Sequence, residues 1–133
     1  MKTTIEKLTA KVIDQIGDAS YLTDVANHGA NGGFTGFTYW SDTHKFAMAN
    51  RKLIVELLEE TASDMGEDVV KMVSSFGVFR NSGLDNEDRK ELYKYLGGAR
   101  CKQSTVTNVM AWFALEEVAR YVVDNRPELL QSN

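Results

Sequence analysis

Eleven residues near the C-terminal end, TVTNVMAWFAL from Thr105 to Leu115, carry no charge. They are apolar on most sides of a helix rather than along one stripe. A helix of that kind must be covered on several faces, so the rest of the chain has to wrap around it. The segment continues in helical register to about Asn125, and Pro127, the only proline, ends it. The uncharged run from Gln103 to Leu115 contains Gln, Ser, Thr and Asn and is too short to span a bilayer.

The elements that would do the covering are also helical. Thr3 and Glu6 have capping-box spacing, and Ile5, Leu8, Val12, Ile13 and Ile16 form an apolar stripe that predicts a helix from Thr3 to Ile16. Asp18 or Ser20 can cap a second helix through His28, with Tyr21, Leu22, Val25 and Ala26 inward. Ser41, Asp42 and Thr43 are N-cap candidates for one long third helix to about Asp64, facing inward through Phe46, Asn50, Leu53, Ile54, Leu57, Leu58 and Thr61. A fourth begins at Glu67 and Asp68 and runs through Phe76. Asp85 caps a fifth over Asn86–Leu96, and the last runs from Thr105. The expectation is one all-α domain over residues 1–133, with five or six helices, the last central, and a loosely held tail from 127. A chain of 133 residues with 43% hydrophobic content can bury such a core without disulfide or metal.

The segment HGANGGFTGFTYWSD, His28 to Asp42, breaks the helical pattern with four glycines and four aromatics in fifteen residues. Phe37 and Tyr39 alternate with Thr38 and Trp40, but no clear partner strand exists. The expectation is an ordered loop, or a small hairpin at most. Glycine lets backbone approach a ligand, and Phe34, Phe37, Tyr39 and Trp40 could stack on one. Alternatively the aromatics fold back and cap the core. The glycine spacing fits neither a P-loop nor a dinucleotide fingerprint.

Three other places can carry chemistry. Asp24 and His28 share a helix face, and Asp42 and His44 flank the next helix start, so together they could hold a metal or act as an acid–base set. HxxxH and HExxH spacings are absent, and His28 at a helix end has a dipole explanation. In GGARCKQST, Arg100 and Lys102 precede a helix N-terminus and could receive an anion, while Cys101 between them is either thiol-activated by the cations or a buried small residue. Glu56, Glu59, Glu60, Asp64, Glu67 and Asp68 form an acidic surface, solvated or set against a basic partner.

The net charge of −4 argues against a protein that coats nucleic acid. The helix–turn–helix order across Asp85–Val118 lacks cations on its second helix. One cysteine allows no internal disulfide, and the N-terminus lacks the apolar run of a signal peptide, so a cytoplasmic protein is expected. No cofactor motif is found.

The stretch HGANGGFTGFTYWSDTHKF resembles segments of small uncharacterised proteins carried by bacteriophages, prophages and plasmids, over about Asp18 to Phe76. The resemblance carries no activity or residue role. It implies a protein that binds a host partner, with inhibition of a host defence complex as its sharpest form. The expectation is therefore a non-enzymatic interaction module binding through Phe34, Phe37, Tyr39, Trp40, Arg100 and Lys102, with a host or self protein as partner. The alternatives are a small metal-dependent enzyme using His28, His44, Asp24 and Asp42, and a weak nucleic-acid binder.

Overall fold

A computed structural model describes residues 3–16, 21–28, 40–75, 84–101 and 105–130, excluding the side chains of Tyr21, His28, Trp40 and Ser41. Among the described residues there are seven α-helices and no strand. They are α1 (Thr4–Ile16), α2 (Tyr21–His28), α3 (Trp40–Ala49), α4 (Arg51–Met65), α5 (Val69–Val73), α6 (Asn86–Gly97) and α7 (Thr105–Asn125), followed by a 3₁₀ turn, Pro127–Leu130.

Helix α7 is the hub. Residues Val106 to Ala111 are buried without interruption, as are Phe113, Ala114 and Leu115. Burial on every side requires neighbours on every side, and α1, α2, α3 and α6 all pack on α7. Their inward residues are Leu8 and Val12 from α1, Leu22 and Val25 from α2, Phe46 and Ala47 from α3, and Leu92 and Tyr95 from α6. Helix α4 lies outside α1, burying Ile54, Leu58 and Ala62, and the Thr4 hydroxyl donates to Glu60 Oε1 at 2.9 Å across that seam. At the chain end, Leu129 and Leu130 are half-buried against the core.

The helix starts follow side-chain chemistry. Thr3 Oγ1 accepts the Glu6 N–H at 3.3 Å, and Glu6 Oε1 accepts from Thr3 N at 3.4 Å, closing the capping box. Asp68 caps α5 through Lys71 N, and Asp85 caps α6 through Asp88 N at 2.8 Å. Helix α5 is shorter than predicted, because the Ser74 and Ser75 hydroxyls donate to the Lys71 and Met72 carbonyls and compete with further helix.

The predicted third helix is two helices, α3 and α4, broken at Asn50. Its backbone has φ −114° and ψ 20°, and both its N–H and its side-chain Nδ2 bond to the Phe46 carbonyl at 3.1 Å. A continuous helix would offer the Ala47 carbonyl to the N–H of Arg51. That carbonyl accepts the buried Tyr95 hydroxyl at 2.9 Å. In return, Arg51 Nη1 donates to the Tyr95 carbonyl at 3.4 Å. The two long-range bonds tie the end of α6 to the break.

Gly98 ends α6 in the left-handed region at φ +91°, and a Cβ there would meet the Arg51 guanidinium at 3.4 Å. Gly97 has an ordinary φ and open space beside it. Gly98→Ala is expected to destabilise the fold by about 1–2 kcal/mol, while Gly97→Ala should be neutral or stabilise by up to ~1 kcal/mol. Paired urea titrations check the contrast.

Candidate interaction surface at the α2 and α3 helix ends

Leu22 and Val25 seat α2 on α7, at 0% and 6% exposure, and Thr43, Phe46 and Ala47 seat α3 on the same helix. The C-terminal end of α2 and the N-terminal end of α3 are therefore fixed by one hub. Residues 29–39, which join them, lie outside the described residues, and with them Phe34, Phe37, Tyr39 and the predicted loop or hairpin. Trp40 is the first residue of α3, one position earlier than the predicted caps.

Of the acid–histidine set, Asp24 is exposed, and Asp42 and His44 are half-buried. His44 Nδ1 lies 3.3 Å from Thr107 Oγ1, and the ring tautomer decides which group donates. Thr107, Asn108 and Thr43 are themselves buried, so His44 rests on a polar seam between α3 and the first turns of α7. No group of three His, Cys, Asp or Glu side chains able to hold a metal is found among the described residues. Whether His28 meets His44 lies outside them.

Arg100 is exposed beyond the end of α6, and Lys102 lies outside the described residues. Cys101 is buried at 5% exposure, with its thiol donating to the Glu91 carbonyl at 3.3 Å. Burial pushes the thiol pKa up, with the Glu91 carboxylate adding to the rise; Lys94 and Arg51 oppose it less strongly. Cation activation of Cys101 is thus overturned in favour of the buried small residue. The helix–turn–helix alternative also fails on burial. Thr107 and Asn108, at the start of α7, are 1% and 3% exposed and face the interior. Glu59, Glu60, Asp64, Glu67 and Asp68 are exposed as predicted, with Glu56 half-buried.

Two features escaped the sequence. The Tyr95–Arg51 exchange joins residues 44 apart, and no local spacing signals it. A groove of about 250 Å³ lies between α1 and the end of α7, lined by Glu6, Thr9, Ile13, Tyr121, Arg126 and Leu129 among others. Arg126 is held there by Glu128, so its charge is already paired.

No helix of the described residues is long and apolar enough to cross a membrane. No curated protein and no solved structure matches the chain. A family model described as a domain of unknown function (DUF7222) matches residues 2–128, and the chain belongs to that family.

Proposed function

We propose that this chain is a non-enzymatic, cytoplasmic protein-interaction module that engages its partner through residues 29–39 and the helix ends beside them. The supporting observation is the common seating of α2 and α3 on α7, which holds both ends of a glycine- and aromatic-rich segment on one rigid scaffold. Binding segments work best when their anchors do not move, because less ordering entropy is lost on association. Phe34, Phe37, Tyr39 and Trp40 supply the large amphipathic contacts that dominate interfaces. Arg100 and Lys102 add rim charge. The sharpest form is a protein of a phage or other mobile element that binds and inhibits a host defence complex, which rests on the sequence resemblance. The His44–Thr107 contact favours a packing role for His44 over the metal-enzyme alternative.

A Phe34→Ser/Phe37→Ser variant tests the reading. Tagged wild type is expected to retain one stoichiometric host protein. The variant should lose it by at least about tenfold in affinity, the effect of roughly 1.4 kcal/mol, with an unchanged melting temperature. A large drop in melting temperature would make the two phenylalanines core residues and overturn the assignment, as would a variant that still binds.

A further inference from the structure

Two large hydrophobic side chains are strongly exposed among the described residues, Tyr93 at 59% and Met65 at 56%. They stand in surroundings of opposite charge. Tyr93 lies on the outer face of α6 with Arg89, Lys90 and Gly97, at i−4, i−3 and i+4, with Lys94 next to it in the chain, opposite the fully buried Leu92 and Tyr95. Helix α6 carries three cations, Arg89, Lys90 and Lys94, and three acids, Glu87, Asp88 and Glu91, but the charged residues that share a face with Tyr93 by helical spacing are Arg89 and Lys90. Among the described residues Lys90 and Lys94 pair with Glu87 and Glu91 of their own helix, at 3.9 and 3.3 Å. The Lys90–Glu87 pair is exposed at both ends, and such pairs are weak and exchange readily for a better partner, whereas the Glu91 end of the other pair is half-buried. Gly97 adds no side chain to this face, so another surface can approach it closely.

Met65 ends α4 between Asp64 and the Glu67–Asp68 pair, with Glu59 and Glu60 one to two turns earlier. All five acids are exposed, and no ion pair reaches Glu59, Asp64, Glu67 or Asp68 among the described residues. The chain thus presents a basic face centred on an aromatic ring and an acidic end carrying an exposed thioether. Opposite charge guides the encounter, and a methionine sulfur against a tyrosine ring is a favourable anchor. Helix α7 offers little for this purpose, because most of its apolar residues are covered within the chain.

We propose that the α6 face around Tyr93 docks the acidic α4–α5 end, around Met65, of a second copy of this chain. The contact does not involve residues 29–39, so it is separate from the proposed partner surface.

Sedimentation velocity over a concentration series is the test. In about 0.01 M salt, where charges are screened only beyond about 30 Å, the average mass should rise with concentration above the 14.9 kDa of one chain. In about 1 M salt it should fall back, because the screening length shrinks to about 3 Å. Lys90→Glu/Lys94→Glu and Asp64→Lys/Glu67→Lys should each remain monomeric alone, with wild-type melting temperatures. An equal mixture of the two should associate, because one variant then carries two acidic faces and the other two basic ones. A wild type that stays at one chain mass throughout overturns the proposal, and so does a mixture that stays monomeric. Binding of a labelled single-stranded oligonucleotide, lost in Lys90→Glu/Lys94→Glu, would assign the face to nucleic acid instead and overturn it as well.

Discussion

Phe113→Ala is expected to lower the unfolding free energy by about 3–5 kcal/mol. Phe113 is 1% exposed in the middle of α7, where α1, α2, α3 and α6 converge on that helix. Truncating the ring removes its transfer free energy and leaves a cavity that four rigid neighbours cannot easily close. A domain of this size is stable by only about 5–15 kcal/mol, so the variant would stand near the limit of folding. The urea midpoint should fall by roughly 2 M with little change in slope. Arg120→Ala, exposed on the same helix but paired with Glu116 and Glu117, should cost no more than about 1 kcal/mol. Equal small effects at both positions would show that α7 is not the hub.

Tyr95→Phe is expected to cost about 1–3 kcal/mol. The substitution removes one oxygen and leaves the ring packing in place. What it deletes is the donor to the Ala47 carbonyl, at a helix break where the backbone partner of a continuous helix is missing. Amide exchange should report the effect locally, with protection falling first around Ala47–Arg51 rather than in α1. A pH series supplies a second readout. Burial holds the Tyr95 phenol well above its ordinary pKa of 10.0, Arg51 opposing only in part. The folded state therefore keeps a proton that the unfolded chain releases above about pH 10. This contribution to stability is complete below that pH and is lost as pH rises past it. The phenylalanine variant should lack that part of the alkaline decline.

Most of the scaffold was legible because it is written locally. The Thr3–Glu6 box, the Asp85 cap and the charge-free start of α7 each act within a turn of helix, and the described residues place them as predicted. The break at Asn50 was missed for the opposite reason. Phe46 to Thr61 keeps helical periodicity through it, and the bond that stabilises the break comes from Tyr95, distant in sequence. Cys101 was legible in composition but ambiguous in environment: two flanking cations in sequence did not outweigh burial beneath Glu91 and Ala99. For the candidate surface, the sequence named the segment and the fold supplied its anchors on α7. The pairing of His44 with Thr107 needed α3 and α7 side by side, which periodicity does not specify.

The position of α7 also bears on the order in which the chain can become folded. Four helices that precede it on the polypeptide have their apolar faces set against a helix that begins only at Thr105. Until the ribosome has made the residues of α7, α1, α2, α3 and α6 have no common surface on which to settle. Contacts of such large sequence separation are slow to close, and exposed apolar faces in the meantime attract other chains. Folding of this domain is thus timed by the arrival of α7, and a nascent chain cut short before that helix would hold helices without their common core.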